Sequence, residues 1–164
     1  MIDQADALRR GEVHIAFMRR VPDMREVRTD VVFEDRFVLA IPFAHPLAAQ
    51  RDIALKQCAG ESFVMYVPQL APDFHAMITR LCAVAGFVPN VAFEVGQVYM
   101  ALGLVSSGAG IAFAPASVQR VHFDHVVYRP RRATARSHAE VRGDARAQGF
   151  RAVGRRRGLH RDRA

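Results

Sequence analysis

Apolar residues recur at helical spacing most clearly in residues 71–89. Asp73 is in position to cap the start of a helix there, and Gly86 is in position to end it. A helix with this spacing has one apolar face that packs onto a core. The pattern predicts a helix over this segment whose core-facing residues are Phe74, Met77, Ile78, Leu81 and Cys82.

Short apolar runs occur on both sides of this helix. Runs of this length, rich in Val, Ile and Phe and bounded by Gly, Pro or charged residues, predict strands. They cover residues 13–17, 31–33, 37–41, 62–67, 90–95, 111–114 and 121–130. Because strands alternate with helical segments, the pattern predicts an α/β fold with a largely parallel sheet.

Three glycines interrupt the apolar stretch ALGLVSSGAGIAFAP, residues 101–115. A phosphate-binding loop would follow a strand, open a helix and carry Lys and Ser or Thr after its last glycine. Here apolar residues at helical spacing precede the glycines, and the strand-like IAFAP follows them. The order is therefore helix, turn and strand, and we expect Gly108 or Gly110 to end the helix.

The pattern is lost at Arg131. Residues 131–164 contain eleven Arg and three acidic residues, a net charge of +8; the whole chain carries +7, so residues 1–130 carry −1. Neither a helical nor a strand period is present, which predicts a disordered Arg-rich tail. Such a tail is either a genuine nucleic-acid-binding segment or the out-of-frame reading of a GC-rich gene. The nearly neutral remainder argues against a nucleic-acid surface there.

Composition narrows the class of protein. Hydrophobic residues make up 51% of the 164 residues, which is typical of a globular domain. The sequence has neither an apolar run long enough to span a membrane nor the apolar core of a signal peptide, so a cytoplasmic protein is expected. Cys58 and Cys82 lack the spacing of a metal or redox motif, and we expect reduced, partly buried thiols.

Candidate catalytic groups are few. His122 and His125 fall on a predicted strand at a spacing that puts them on opposite faces, which disfavours a shared metal. His45 precedes Pro46 in a predicted turn, and no serine lies in a nucleophile elbow. We therefore expect neither an enzyme nor a metal site nor a cofactor.

A ligand site is the remaining possibility. In α/β folds, ligands bind beyond the carboxyl ends of parallel strands, where helix N-termini direct N–H groups at anions. Two helices are predicted to begin after strands, near Phe74 and near Val98. Arg19, which follows the strand at residues 13–17, could add a charged hydrogen bond. Simple helix starts without a ligand are the alternative.

Four segments taken together resemble a known family. ALRRGEVHIAF (residues 7–17), FEDRFVLAIPFAHPLA (33–48), AGFVPNVAFEV (85–95) and ALGLVSSGAGIAFAPASV (101–118) occur in the order found in the effector-binding domain of LysR-type transcriptional regulators. QLAPDF (69–74) and EVGQVYMALGLV (94–105) are most similar to the branch that responds to muconate and benzoate. The resemblance covers residues 7–130.

The resemblance implies a fold of the type 2 periplasmic-binding-protein kind, with one complete lobe and fragments of a second. It divides the chain into a first-lobe remnant and crossover, a second lobe, a return to the first lobe, and the tail: residues 1–35, 36–114, 115–130 and 131–164. The effector contacts that carry over are Pro72, Asp73, Phe74, Gln97 and Val98, with Phe17 and Arg19 on the first-lobe side.

The resemblance also sets expectations for function. The chain is expected to be a regulator fragment, truncated at both ends and without its helix-turn-helix, that senses a small aromatic or dicarboxylate effector. Intact relatives are expected to be homo-oligomers, whereas this chain alone should not bind specific DNA. Strands at residues 13–17 and 126–128 should be short of partners at the exposed edges of an unfinished first lobe and promote aggregation or dimerisation, so the isolated chain should be poorly soluble. A stand-alone small-molecule binding module and a basic nucleic-acid-binding protein that acts through its tail are the alternatives.

Overall fold

The structure is a computed structural model that describes residues 4–18, 27–33, 35–132 and 150–155. The helices among these residues are α1 (Gln4–Arg10), α2 (Pro72–Val84) and α3 (Val98–Ser106). The strands are β1 (Ile15–Met18), β2 (Val27–Phe33), β3 (Phe37–Pro42), β4 (Ser62–Tyr66), β5 (Asn90–Val95), β6 (Ala112–Pro115), β7 (Val126–Pro130) and β8 (Phe150–Arg155). Short 3₁₀ helices lie at Pro46–Ala49, Leu55–Cys58 and Ala116–Arg120.

The chain divides into two compact units. Unit 1 consists of Met1–Asp35 and Ala145–Ala164, and unit 2 of Arg36–Asp144. The start of unit 2 coincides with the predicted start of the second lobe. β7, predicted to return to the first lobe, pairs with β3 inside unit 2. The four-part division into lobes and fragments stays a prediction.

Unit 1 contains a three-stranded antiparallel sheet in the order β1, β8, β2. β8 lies within the segment predicted to be disordered, and for residues 150–155 the prediction of disorder is wrong. A central strand gains backbone hydrogen bonds on both sides, which a search for apolar periodicity does not detect. The other residues predicted to form a disordered tail lie outside the described residues, except Arg131 and Arg132.

Each of the two strands expected to be short of partners is paired on one side. β1 pairs with β8 through Ile15–Met18, and β7 pairs with β3 through Val126–Pro130. Both partners come from distant parts of the chain, so the sequence near each strand could not reveal them. Each strand nevertheless lies at the edge of its three-stranded sheet, so the aggregation expected from exposed edges stays a prediction.

Unit 2 is built on strands of mixed direction. β3 pairs with β6 on one side and with β7 on the other, both antiparallel, whereas β4 and β5 are parallel. A parallel bridge between Phe63 and Ile111 connects β4 to the chain that enters β6. The prediction of a largely parallel sheet is wrong, because four of the five strand pairings among the described residues are antiparallel. The fold is mixed α/β.

α2 and α3 pack on the unit 2 sheet and complete its core. The five apolar residues predicted to face the core from α2 are all buried, which confirms that pattern. The same holds for Ala101, Leu102 and Val105 of α3. Aromatic rings fill the centre, where the Phe63 ring lies 6.5 Å from that of Phe113 and 6.0 Å from that of Phe87.

Gly108 and Gly110 have different structural roles in the turn between α3 and β6. Gly108 has φ +84° and follows the last helical residues, so it ends α3 in the left-handed conformation. A Cβ on Gly110 would lie 2.5 Å from the backbone oxygen of Ser62. Ile111 donates its N–H to that same oxygen at 2.8 Å. The second glycine therefore permits close approach of two backbones.

Candidate functional site

The parallel strands β4 and β5 end side by side. The N–H of Val67, just beyond β4, donates to the carbonyl oxygen of Val95 at 2.9 Å. α2 begins after a turn that follows β4. Two residues, Gly96 and Gln97, separate the end of β5 from the start of α3. Because the strands are parallel, both helix N-termini lie at the same edge of the sheet, which we call the helix-start edge. This is where the sequence predicted a ligand.

At the start of α2, the positive end of the helix dipole already faces an acidic side chain. The N-cap is Ala71, which has no side chain to cap the helix, and Pro72 is the first helical residue. Asp73 follows in the first turn, so the prediction that it caps the helix is wrong by two positions. Proline is favoured at the first helical position, where no N–H is needed. The Asp73 carboxylate interacts favourably with the helix dipole from there.

The Phe74 side chain belongs to the core. It is 4% exposed, and its ring packs edge-on against those of Phe37 and Tyr66, with centroids 4.9 and 5.0 Å away. The hydroxyl of Tyr66 donates to the carbonyl oxygen of Phe113 at 2.8 Å. This aromatic group holds the first turn of α2 against the sheet, so the ring has a structural role whatever the helix start binds.

The start of α3 has a different chemistry. Its N-cap, Gln97, is exposed and makes no side-chain capping hydrogen bond, and the first turn contains no acidic residue. N–H groups in the first turn of any helix have no acceptor within the helix. The positive end of the α3 dipole is therefore not neutralised by an acidic side chain in the first turn of that helix. Val98, the first helical residue, is half-buried.

Five of the seven predicted contact residues lie at the two helix starts of unit 2: Pro72, Asp73, Phe74, Gln97 and Val98. Phe17 lies on β1 in unit 1, where its side chain is 58% exposed. Arg19 lies outside the described residues. The role of all seven in binding stays a prediction.

Two residues at the helix-start edge were missed by sequence reasoning. Leu70, in the turn between β4 and α2, is 61% exposed. A Cβ on Gly96 would lie 2.8 Å from the Cδ1 atom of Leu70. Both residues stand in the quoted segments QLAPDF and EVGQV. A large apolar residue in the short connection between a predicted strand and a predicted helix was the available signal.

The other candidate residues have local roles. His45 caps the 3₁₀ helix Pro46–Ala49: its Nδ1 accepts from the Leu47 N–H at 3.2 Å, which confirms the predicted turn role. Its Nε2 lies 3.0 Å from Glu61.

The expected strand placement of His122 and His125 is wrong. Both precede β7, and His125 has φ +61°. Such positive φ values occur in turns. His122 hydrogen-bonds Asp124 at 3.0 Å. Among the described residues, no group of three His, Cys, Asp or Glu side chains is arranged to hold a metal ion.

Cys58 and Cys82 are free thiols and are fully rather than partly buried. Burial raises the pKa of Cys58 to about 11, and the nearby Glu61 carboxylate adds to the shift. Burial raises the pKa of Cys82 to about 12, with a smaller contribution from Cys58. Since the thiolate is the reactive form, both thiols are unreactive at neutral pH.

No helix among the described residues has both the length and the apolar character that a membrane span requires.

Known proteins are similar to this chain in sequence and in fold. The profile of the LysR substrate binding domain matches residues 1–146, so the match continues past Pro130 into the Arg-rich segment. The HTH-type transcriptional regulator CatR of Pseudomonas putida is 34% identical over 127 residues, which are 77% of this chain and 44% of CatR. For the HTH-type transcriptional regulator BenM of Acinetobacter baylyi, the identity is 28% over 129 residues, 77% of this chain and 42% of BenM. The chain spans less than half the length of these relatives.

Solved structures show the same fold. The BenM effector binding domain with its effector benzoate matches with a TM-score of 0.74 at 24% identity, over 94% of this chain and 66% of that one. The effector binding domain of QuiR in complex with shikimate matches with a TM-score of 0.68 at 19% identity, over 92% of this chain and 66% of that one.

Proposed function

The chain belongs to the LysR substrate-binding-domain family, and on that basis we propose that it senses a small aromatic-degradation carboxylate such as benzoate or muconate. The matched relatives are transcriptional regulators, so the chain is a regulator domain and not an enzyme. The observation that carries the proposal is the helix-start edge, where α2 and α3 both begin beyond the carboxyl ends of two paired parallel strands.

We assign the effector's carboxylate to the start of α3 rather than to that of α2. An anion is stabilised by the N–H groups and the dipole of a helix start. Asp73 places a negative charge in the first turn of α2, where it repels a second anion, whereas the first turn of α3 has none. The exposed amide of Gln97 is in reach to donate a further hydrogen bond to a bound carboxylate.

Calorimetric titration with benzoate tests this assignment, with benzamide as the neutral ligand of the same shape. We expect benzoate to bind and benzamide to bind at least tenfold more weakly. In Gln97→Glu, a carboxylate at the N-cap repels the ligand and removes a donor, so benzoate affinity should fall about tenfold or more. Gln119→Glu adds the same charge to an exposed position in the 3₁₀ helix Ala116–Arg120 and should leave affinity within twofold.

Two results would count against the proposal. Failure of the wild-type chain to bind either benzoate or muconate at millimolar concentration would overturn the assigned effector class. Equal loss of affinity in Gln97→Glu and Gln119→Glu would overturn the placement at α3, because a general charge effect would then explain both.

In a longer regulator, we propose that effector binding shifts the population between conformations of a homo-oligomer and so alters its contact with DNA. Such coupling requires the effector to bind the two conformations with different affinity. Residues 1–164 by themselves should bind promoter DNA only weakly and without sequence preference. A gel-shift assay that shows salt-resistant, sequence-specific binding by this chain would contradict that expectation.

A further inference from the structure

Leu70 is a large apolar residue that lies in a solvent-exposed turn. It lies in the turn after β4, where its N–H donates to the carbonyl oxygen of Val67 at 3.1 Å. The N–H of Ala71 donates to the same oxygen at 2.9 Å, so the backbone of this turn is fixed. The side chain nevertheless remains 61% exposed. An ordered backbone thus holds an isobutyl group in contact with solvent.

The Leu70 side chain lies close to Gly96. Gly96 is not among the glycines with positive φ, so its backbone conformation does not require glycine. A Cβ on Gly96 would instead lie 2.8 Å from Cδ1 of Leu70, so it would have to displace the end of that side chain. Gly96 lies between β5 and α3, two residues before Val98. Leu70 therefore reaches from the turn before α2 across to the chain segment that begins α3.

We propose that Leu70 is a specificity-determining residue of this site, an inference that rests on the proposed function. The start of α3 takes the carboxylate of the effector, and the Leu70 side chain packs against the carbon skeleton beside it. Covering an exposed leucine with an apolar ring removes apolar surface of both partners from water. A hydroxylated ring gains less, because its hydroxyl groups lose water without acquiring a partner there.

The test compares two carboxylates, benzoate with its apolar ring and shikimate with its hydroxylated ring, by calorimetric titration. Leu70→Ala should weaken benzoate binding about tenfold, since most of the apolar contact is removed, and change shikimate binding less than threefold. Leu70→Met keeps a long apolar side chain and should retain benzoate affinity within threefold. Val88→Ala is the matched control, because Val88 is an apolar residue 83% exposed, and should change neither affinity.

Gly96→Ala tests the contact itself. The added methyl group displaces Leu70 without removing it, so benzoate affinity should fall. In the double variant Leu70→Ala/Gly96→Ala the obstacle is gone, and affinity should equal that of Leu70→Ala alone. Thermal unfolding of each variant without ligand shows whether it is folded, and Leu70→Met supplies the comparison if Leu70→Ala unfolds.

The outcomes separate this inference from the proposed function. If the wild type binds benzoate and Leu70→Ala binds it equally well, the specificity role is overturned and the proposed function stands. An equal loss of benzoate and shikimate affinity overturns it as well, since Leu70 would not discriminate. If the wild type binds neither compound, nor muconate, both proposals fail.

Discussion

The two compact units differ in how many of their large apolar side chains they bury. In unit 2, Phe63 and Leu39 are completely buried and Phe113 is 1% exposed. In unit 1, Ile15 and Phe17 on β1 are 61% and 58% exposed. Of the unit 1 side chains that the structure describes, the buried apolar ones are Ala7, Leu8 and Ala16.

This difference shows that the two units do not contribute equally to stability. Burial of apolar surface is the main favourable term in folding, and it is concentrated in unit 2. The helix-start edge belongs to that unit, so the proposed carboxylate site is supported by a core of closely packed aromatic and aliphatic side chains. Substitutions in the two units should therefore have very different consequences.

The largest expected effect is that of a core truncation in unit 2. Phe63→Ala removes a ring packed between Phe87 and Phe113 and should lower the free energy of unfolding by about 3–5 kcal/mol. Phe17→Ala, the matched truncation in unit 1, should change it by less than about 1 kcal/mol because its side chain is largely exposed. Urea denaturation of both variants measures the contrast. Equal losses would show that unit 1 has a core of comparable weight.

A smaller effect is expected where two backbones meet inside unit 2. Gly110→Ala places a methyl group against the Ser62 carbonyl, and we expect a loss of about 2–3 kcal/mol. Gly103→Ala is the control: it lies within α3, nothing stands within 4 Å of its added Cβ, and it should stabilise the protein by about 0.5–1 kcal/mol. If Gly110→Ala is neutral, the contact with Ser62 adjusts more easily than the geometry indicates.

The buried thiols of unit 2 predict that the free energy of unfolding depends on pH. In the unfolded chain both thiols have ordinary pKa values near 8.5, whereas folding raises them to about 11 and 12. Above pH 9 the unfolded state releases protons that the folded state keeps. The free energy of unfolding should therefore fall as pH rises, by up to about 1.4 kcal/mol per pH unit for each thiol.

Urea denaturation between pH 8 and pH 10 measures this slope. The double variant Cys58→Ala/Cys82→Ala should show a shallower slope, even though its unfolding free energy at pH 7 is lower. The raised pKa of Tyr128, which burial also causes, adds to the decline only near and above pH 10. An unchanged slope in the double variant would mean that the thiols are not shielded from water.

The smallest effect is expected at the surface of unit 2. The Arg132 guanidinium lies 2.7 Å from Asp52 and holds the pKa of that carboxyl below its ordinary value through a hydrogen bond. In Arg132→Gln the pKa of Asp52 should rise towards its ordinary value, as followed by NMR. Unfolding free energy should not change measurably, because water screens an exposed ion pair. A clear destabilisation would show that this pair supports the backbone bridge between Ile53 and Arg131.

Much of the fold was predictable because its signals are local. The apolar positions of α2 follow a helical period that needs no knowledge of the rest of the chain, and all five are buried. Gly86 and Gly108 end their helices with φ values of +88° and +84°, as their positions in the sequence predicted. The helix starts at Pro72 and Val98 were located to within a few residues for the same reason.

The sequence by itself thus determined the family, the helices of unit 2 and the segments that form most of its strands. Tertiary structure decided the rest: the antiparallel partners of β3, the pairing of β8 between β1 and β2, and the contact of Leu70 with Gly96. The physical reason is the distance along the chain over which each signal acts. Periodicity and capping act within one or two turns of chain, whereas strand pairing and the approach of Leu70 to Gly96 depend on atoms that only the folded chain brings together.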